Sequence, residues 1–432
     1  MPFLINFDFL PIYLIDICPN KLVLARSKRE EMSPIKVIRR KIKQSFWQVV
    51  FTITDFRLNS NVIIAEKTLV FIKNDLIGDY LLFRNFLPYI KQSKKYKDHK
   101  LILIGNTAWK NIAETLDADY YDEMIWISFD RINKDLVYRT KTIKNILSKG
   151  YETLFYPVYS GDEYTEQFLI AKITAKEKIK YAQPLPELGT KVNPCFTEIL
   201  RSTHRYLFEI YRYKEMFEMF LDVSIKEFEW RNVSTADTTG IPEKPYIVLF
   251  PGSSAYLKRW GTANFVAVAD YLTENYAYQI LLAGSKKDGK YANAIINGVN
   301  KKQRGRFIDL TGKTSLLNLA NIINHSDLLV TNDSASLHMA AAVNKETVCM
   351  FMGESYGRFT PYPKELFSNG RFICPPDVEK LVQGQSTSPV FLSLGYNPDI
   401  NAIIPEQVIK AIEELLSTKQ KHTNKILNSF HN

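Results

Sequence analysis

Residues 331–343 (TNDSASLHMAAAV) combine polar side chains with small residues in a pattern that could bind an anion. They follow the mainly apolar run 327–330, which predicts a buried parallel strand. Ser334 and the small residues behind it then begin an Ala-rich helix. The first N–H groups of such a helix have no partner within it and carry about half a positive charge, which suits a phosphate. The segment therefore predicts a phosphate site.

A second turn with the same chemistry lies about 80 residues earlier in the chain. There the strand-like run 246–250 ends in residues 251–254 (PGSS), and Lys258 follows shortly afterwards. With a glycine and two hydroxyls ahead of it, Lys258 could hold a diphosphate, or it could be an ordinary solvated loop lysine. Two phosphate-binding turns in one half of the chain favour a diphosphate ligand and indicate a nucleotide.

Two side chains of the first turn also have more than one interpretation. Asp333 either caps its helix or binds sugar hydroxyls. His338 lies inside the Ala-rich helix, where a lone histidine is more often a hydrogen-bonded core residue than a catalyst. We therefore expect His338 to support its neighbours rather than to react.

The candidate for proton transfer lies in the first half of the chain, in residues 71–83 (FIKNDLIGDYLLF). Asp79 follows a strand and begins a helix, so its carboxylate could simply complement the helix dipole. The functional alternative is a general base that projects into a cleft, with Gly78 allowing a substrate to approach the backbone.

Motifs of several other enzyme classes fail on spacing. Residues 312–314 (GKT) resemble the end of a P-loop, but Phe307 stands where its first glycine must be. No GxGxxG follows the first strand of either half, which disfavours a dehydrogenase. Residues 117–119 (DAD) have the form of a metal–nucleotide motif, but they follow a helix rather than a buried strand. We therefore expect no metal site.

Composition narrows the protein class further. The 432 residues are 46% hydrophobic, which is enough for two or three domains with substantial cores. The net charge of +10 fits a phosphorylated substrate, an anionic membrane or nucleic acid, or simply a basic soluble protein. The basic residues are spread out and no nucleic-acid motif occurs, so we expect no nucleic-acid partner. The four cysteines lack metal-site spacing, which fits a reducing, cytoplasmic location.

The N-terminal extension, residues 1–65, has two interpretations. Residues 34–53 are basic at one end and aromatic-apolar at the other, so they form either an amphipathic helix on an anionic membrane or a helix packed on the first domain. Met32 is an alternative start that would leave residues 1–31 untranslated. No apolar run reaches 18 residues, so we expect no membrane-spanning helix.

Strands and helices alternate from residue 68 onwards, a pattern typical of parallel sheets with helices on both faces. The predicted strands are 68–73, 101–105, 124–128, 153–157, 177–182, 246–252, 278–284, 306–312, 327–331 and 346–351. The predicted helices are 78–91, 106–116, 131–149, 204–223, 262–275, 288–299, 315–325, 335–343 and 405–416. A polar linker before residue 240 separates two domains, 66–235 and 240–400, and a C-terminal helix and tail occupy 401–432. Ligands in such sheets bind beyond the carboxyl ends of the strands.

Four stretches resemble glycosyltransferase family 9, the bacterial heptosyltransferase family of lipopolysaccharide synthesis. They are residues 72–88, 250–272, 281–289 and 310–343, and the resemblance spans about residues 68–352. It implies the GT-B fold, in which two Rossmann-like domains face a central cleft. The N-terminal domain would bind the acceptor and the C-terminal domain a nucleotide-sugar donor, in most members an ADP-heptose.

The resemblance also implies individual roles. Asp79 would be the catalytic base, with Gly78 and Arg84 on the acceptor side. The donor ligands would be Ser253, Ser254, Lys258, Asp288, Asp333, Ser334, Ala335 and His338. Two departures stand out: residues 335–336 (AS) replace the usual Gly-Pro, and residues 84–85 (RN) replace the usual Thr-Pro.

We therefore expect an inverting, metal-independent transfer of a sugar onto a lipopolysaccharide or other lipid-linked glycan, with no cofactor beyond the donor. Such an enzyme would work in the cytoplasm, at the inner face of the cytoplasmic membrane. The alternatives are a non-catalytic nucleotide-sugar-binding protein and a dinucleotide-dependent oxidoreductase or epimerase. The sequence names neither the sugar, the base, the acceptor nor the oligomeric state.

Overall fold

The computed structural model of the chain describes the residues that form both predicted domains. The described residues are 62–159, 169–184, 194–204, 206–354, 356–383 and 398–429, with side chains to 417 in the last range and without that of residue 130. The segment 34–53 and the rest of the chain before residue 62 lie outside the described residues.

A parallel sheet forms the N-terminal half. Its strands are β1 (Ile64–Lys73), β2 (Lys100–Asn106), β3 (Glu123–Ile127), β4 (Gly150–Tyr156), β5 (Thr174–Ala182) and β6 (Glu198–Arg201). Their order across the sheet is β3-β2-β1-β4-β5-β6, and every pairing is parallel. The central strand β1 is buried from Thr68 to Lys73, as expected where helices cover both faces of a sheet.

The C-terminal half repeats this topology. Its strands are β7 (Tyr246–Phe250), β8 (Gln279–Leu282), β9 (Phe307–Asp309), β10 (Leu328–Asn332), β11 (Thr347–Met350) and β12 (Gly370–Ile373). The order is β12-β11-β10-β7-β8-β9, again parallel throughout. The first strand of each half thus lies beside the fourth, and both sheets are doubly wound.

Helices cover the faces of both sheets. They are α1 (Ile77–Phe83), α2 (Lys110–Leu116), α3 (Phe129–Ile132), α4 (Leu136–Leu147), α5 (Glu209–Leu221), α6 (Thr262–Asn275), α7 (Gly289–Gly298), α8 (Leu316–His325), α9 (Ala335–Ala342), α10 (Pro376–Gln383) and α11 (Pro405–Ser429). Apolar positions at helical spacing explain the packing of α6, where Phe265, Val268, Ala269 and Leu272 are all buried.

The structure corrects three predicted elements. The N-terminal sheet has a strand that was not predicted, because β6 pairs beyond the strand predicted at 177–182. The helix predicted over 204–223 begins only at Glu209, and the one predicted over 131–149 is two helices, α3 and α4. Within the described ranges, no helix is both long and apolar enough to cross a membrane.

The two halves pack against each other around α5 and α9. One apolar cluster runs through both, with Phe71 and Phe217 from the N-terminal half and Leu337 and Tyr362 from the C-terminal half. The contact between α1 and α9 joins the helices that follow β1 and β10. The carboxyl ends of the two sheets therefore face each other across a cleft, as the fold prediction requires.

Candidate active site

The two predicted phosphate turns of the C-terminal half lie side by side. Since β7 and β10 are neighbours in the sheet, their carboxyl ends bring Lys258 to Asp333. The Lys258 ammonium donates to Oδ2 of Asp333 at 2.8 Å, and the two side chains are 25% and 9% exposed. Burial alone would lower the pKa of Lys258, but the negative charge of Asp333 outweighs it and raises that pKa. A cation is thus held at the mouth of the cleft.

Asn332 fixes the two turns to each other. Its fully buried side chain donates to the carbonyl of Pro251 at 2.9 Å and accepts from the backbone N–H of Trp260 at 3.1 Å. A buried amide with both ends satisfied holds its neighbours in one geometry. Sequence reasoning passed over Asn332, although its place between a buried strand and Asp333 was a usable signal.

The turn after β7 has donors available to a ligand. The side chain of Arg259 donates twice to the carbonyl of Ser253, at 2.8 and 2.6 Å, and so fixes the turn. The buried Ser253 hydroxyl has no hydrogen-bond partner among the described residues, whereas Ser254 is exposed. Both serines remain candidate diphosphate ligands.

The start of α9 also has hydrogen-bond donors available to a ligand. Ser334 precedes the helix without a side-chain capping bond, and its hydroxyl instead lies 2.8 Å from that of Ser336. Ser334 and Ala335 are both partly exposed. The first N–H groups of α9 therefore have no side-chain cap from Ser334 and can receive an anion.

Asp288 lies behind the turn after β7. Its Oδ2 accepts from the N–H and the hydroxyl of Ser285, at 2.8 and 2.6 Å, and thereby caps its own short helix. A Cβ on Gly252 would lie 2.6 Å from the Asp288 carboxylate, so only glycine fits there. Asp288 thus has a structural task beside the ribose contact that the resemblance implies.

Gly78 and His338 meet across the cleft. A Cβ added to Gly78 would lie 2.6 Å from Cδ2 of His338, so the glycine lets the two halves approach closely. Nδ1 of His338 hydrogen-bonds the hydroxyl of Tyr362, which fixes the ring. Burial lowers the pKa of His338 to about 4, and the imidazole is therefore neutral near pH 7. This neutral, packed histidine fits the supporting role predicted for it.

Asp79 lies next to this contact in a crowded electrostatic environment. The residue is half-buried, and burial raises the pKa of its carboxyl group above the ordinary value. The charge of Lys73 opposes this shift and that of Glu209 adds to it. A carboxylate with a raised pKa at the edge of a cleft has the property required of a general base.

Lys73 anchors the segment before Asp79. Its ammonium is fully buried, forms an ion pair with Asp75 and donates to the hydroxyl of Tyr213 at 2.6 Å. Burial, only partly opposed by Lys73, raises the pKa of Asp75 to about 7. Sequence reasoning did not single out Lys73, although a lysine that ends an apolar strand is an unusual residue there.

Comparison with known proteins connects this geometry to a family. Residues 199–383 match the model of glycosyltransferase family 9 (heptosyltransferase). Lipopolysaccharide heptosyltransferase 2 of Salmonella typhimurium is 29% identical over 188 residues, which are 43% of this chain and 51% of that protein. Over residues 199–383, less than half of its length, the chain resembles glycosyltransferase family 9. It spans about half the length of the first curated relatives that it matches.

Solved structures agree on the fold. The E. coli ADP-heptose lipopolysaccharide heptosyltransferase II aligns with a TM-score of 0.58 at 18% identity, covering 82% of this chain and 99% of that one. An E. coli heptosyltransferase with ADP aligns with a TM-score of 0.56 at 14% identity, covering 81% and 99%. Both sheets of this chain therefore belong to one GT-B fold.

One residue of the predicted acceptor side has a different role from the one expected. Arg84 is buried, and its guanidinium donates to both carboxylate oxygens of Asp117 at 2.9 Å and to the carbonyl of Arg231 at 2.8 Å. With its donors turned inward, Arg84 stabilises the segment before the second domain and does not face an acceptor. The buried pair with Asp117 is the contact that an arginine makes at this position.

The same pair explains the DxD-like residues 117–119. Asp117 is buried and bound to Arg84 and, at 3.1 Å, to Arg231, so it is not available to a metal ion. Throughout the described part of the chain, no group of three or more His, Cys, Asp or Glu side chains is arranged to hold one. Metal independence remains a prediction of the family resemblance.

Proposed function

We propose that this chain is an inverting, metal-independent glycosyltransferase that moves a heptose from an ADP-activated donor to a lipid-linked glycan such as lipopolysaccharide. The observation that carries the proposal is the Gly78–His338 contact. It brings the half-buried carboxylate of Asp79 up to the C-terminal half, where Lys258 and the start of α9 can hold a diphosphate.

In the proposed reaction Asp79 accepts the proton of an acceptor hydroxyl. The acceptor oxygen attacks the anomeric carbon from the face opposite the diphosphate, so the new C–O bond forms as the bond to the phosphate oxygen breaks. The configuration at that carbon is thereby inverted, and a nucleoside diphosphate leaves.

Charge develops on the departing diphosphate, where the chain offers fixed positive groups. Lys258, which pairs with Asp333, would exchange that partner for a phosphate oxygen. The hydroxyls of Ser253 and Ser254 and the first N–H groups of α9 add neutral donors. Such preorganised donors supply the stabilisation that a metal ion provides in other transferases.

The identity of the donor rests on relatives. The E. coli structure that contains ADP shares the fold of this chain, and the matched relatives are named heptosyltransferases. The family match covers residues 199–383, which include Ser253, Lys258, Asp288, Asp333 and His338 but not Asp79. The base is therefore argued from its position alone, whereas the donor site has both position and family behind it.

The test of the donor site is a calorimetric and thermal-shift titration with ADP, UDP, GDP, CDP and NAD, each with and without EDTA. A ligand at about 100 times its Kd raises the free energy of unfolding by about 2.7 kcal/mol, so a real site is easily visible. ADP-selective binding that EDTA leaves unchanged supports the proposal. UDP or GDP selectivity indicates a donor sugar activated by that nucleotide instead of ADP, and NAD binding favours the oxidoreductase. ADP-sugar binding without transfer to any acceptor favours a non-catalytic protein.

We further propose that the reaction takes place at the cytoplasmic face of an anionic membrane. The support is the net charge of +10 and the basic start of residues 34–53. In the full-length chain, replacing Arg39, Arg40 and Lys41 by Gln should reduce co-sedimentation with phosphatidylglycerol vesicles. Equal sedimentation of variant and parent chain contradicts this location.

A further inference from the structure

Two hydrogen bonds join Arg358 to Glu209 across the two halves of the molecule. Arg358 lies in the loop after β11, and Glu209 is the first residue of α5, 149 positions earlier. The Nε of Arg358 donates to the Glu209 carboxylate at 2.9 Å, while the N–H of Glu209 donates to the carbonyl of Arg358 at 2.8 Å. The pair therefore fixes both backbone and side chain of the loop against the N-terminal half.

The carboxylate that receives Arg358 is itself held. Glu209 is 2% exposed, and Arg212 donates to the same carboxylate oxygen at 3.3 Å. The guanidinium of Arg212 lies over the ring of Tyr159 at 3.7 Å. Burial alone would raise the pKa of Glu209, but the charges of Arg358 and Arg212 outweigh it and lower that pKa. Glu209 is thus an ionised, immobile anchor.

The loop that carries Arg358 also reaches the contact beside Asp79, because the ring of the next residue, Phe359, lies 6.2 Å from that of His338, and a Cβ on Gly78 would lie 2.6 Å from His338. This placement allows the charges of Arg358 and Asp79 to interact. That interaction lowers the pKa of Asp79 and raises that of Arg358, although burial of Asp79 is the larger effect. The other titratable and charged groups facing Asp79 come from β1 and the segment after it, from α5 and from α9. They are Lys73, Asp75, Glu209, Tyr213 and the neutral His338.

The origins of these charges differ. Lys73, Asp75 and Glu209 belong to the same half as Asp79 and accompany it in any arrangement of the two domains. Arg358 is a cation near Asp79 that the other half supplies. Moving the two halves apart removes that charge from Asp79 and leaves the negative charges of Asp75 and Glu209 beside it.

We propose that Arg358 is a positioning residue that, anchored by Glu209, brings a positive charge to Asp79 when the two domains are docked and so couples proton abstraction to cleft closure. The inference rests on the proposed function, because it assumes that Asp79 is the base. It assigns no contact between Arg358 and substrate.

The decisive measurement is the pH profile of kcat/KM. In Arg358→Gln the ionised form of Asp79 loses a favourable neighbour, so the acid limb should move to higher pH by about one unit. Arg358→Lys keeps the charge and should leave the limb near that of the parent enzyme. An unmoved limb in Arg358→Gln overturns the inference.

Two further variants separate electrostatics from loosened packing. Tyr211→Phe removes another contact between α5 and this loop, the 2.6 Å hydrogen bond to Glu365, without changing a charge near Asp79. Its acid limb should stay in place, and an equal shift there overturns the inference. If Arg358→Gln folds poorly, the double variant Glu209→Gln with Arg358→Gln avoids an unpaired buried carboxylate. Because it removes one charge of each sign, its limb should lie closer to the parent value than that of the single variant, and a larger shift overturns the inference.

Failure of this inference is distinguishable from failure of the proposed function. Near-parental turnover in Asp79→Asn contradicts the base assignment and the proposed function with it. Loss of turnover in Asp79→Asn together with an unmoved acid limb in Arg358→Gln contradicts the role of Arg358 alone.

Discussion

The two halves of the molecule share one strand order but differ in the charges at their carboxyl ends. At the end of β1, Asp75 and Asp79 lie near the buried Lys73 and near Glu209, which is itself paired with Arg212 and Arg358. At the end of β10, one carboxylate, Asp333, is matched by Lys258 beside an open helix start. The same strand order therefore carries different arrangements of charge.

The difference assigns a different task to each side. Crowded, partly buried carboxylates hold a proton more readily than isolated ones, which suits proton abstraction near neutral pH. An ammonium beside backbone N–H groups suits a diphosphate. The fold supplies two equivalent positions, and the side chains decide which one receives a proton and which one an anion.

The largest expected effect comes from removing the proton acceptor. Asp79→Asn keeps the shape of the side chain but not its charge, and should lower kcat by about 10²–10⁴-fold, as loss of a general base typically does. The Kd for ADP, measured by calorimetry, should stay unchanged because the nucleotide site lies in the other half. A parallel loss of ADP affinity would contradict the assignment of proton abstraction to the N-terminal half and of nucleotide binding to the C-terminal half.

Removing the ammonium of Lys258 tests the proposed diphosphate site of the C-terminal half. Lys258→Ala should weaken ADP binding by about 10–100-fold, since a hydrogen bond to a charged group contributes about 1.5–3 kcal/mol. Lys302→Ala is the matched control, because this exposed lysine precedes β9 at the opposite end of the sheet. Calorimetry that finds the same Kd for both variants contradicts the diphosphate role of Lys258.

The features that depend on residues close together in the chain were predictable from the sequence. Alternating apolar runs indicated nearly all of the strands, and the Ser315 cap with its apolar spacing predicted α8. The strand-end turns at 251–254 and 331–334 were predicted because hydroxyls, glycine and a following helix are visible within a few residues. The family resemblance then gave each residue a role.

Contacts between distant segments were not predictable in this way. Arg358 and Glu209 are 149 residues apart, and neither has a local pattern that marks it. Arg84 was assigned to the acceptor because it follows Asp79 closely, yet its partner Asp117 is 33 residues away and draws the guanidinium inward. Tertiary packing decides which side chain of a helix pairs with a buried charge. A single sequence does not show that packing.

The contact between the two sides offers a smaller but sharper test. Gly78→Ala places a methyl group 2.6 Å from the His338 ring, which Tyr362 holds in place. Overpacking of this kind costs about 1–3 kcal/mol, and urea unfolding should show it. Gly305→Ala is the control, since a Cβ there meets nothing within 4 Å. In the double variant with His338→Ala the two effects should not add, and simple additivity contradicts the contact.

The smallest expected effect is a pH dependence that belongs to the C-terminal half. The pKa of His338 is about 4 in the folded chain, against an ordinary value near 6.5. Below about pH 6.5 the unfolded chain therefore binds a proton that the folded chain refuses, so stability falls as pH falls towards 4 and is level above 6.5. Between pH 7 and 5.5 the contribution of His338 to the free energy of unfolding falls by about 1 kcal/mol. Urea titrations at both pH values should therefore show a change in stability that is less favourable in the parent chain than in His338→Gln, by about 1 kcal/mol. Because Asp75 and Asp79 have raised pKa values and lie in the other half, their opposite contribution persists in both proteins. An equal change of stability with pH in the two proteins would mean that His338 is not buried in its neutral form, and the close packing of the two halves at Gly78 would then be wrong.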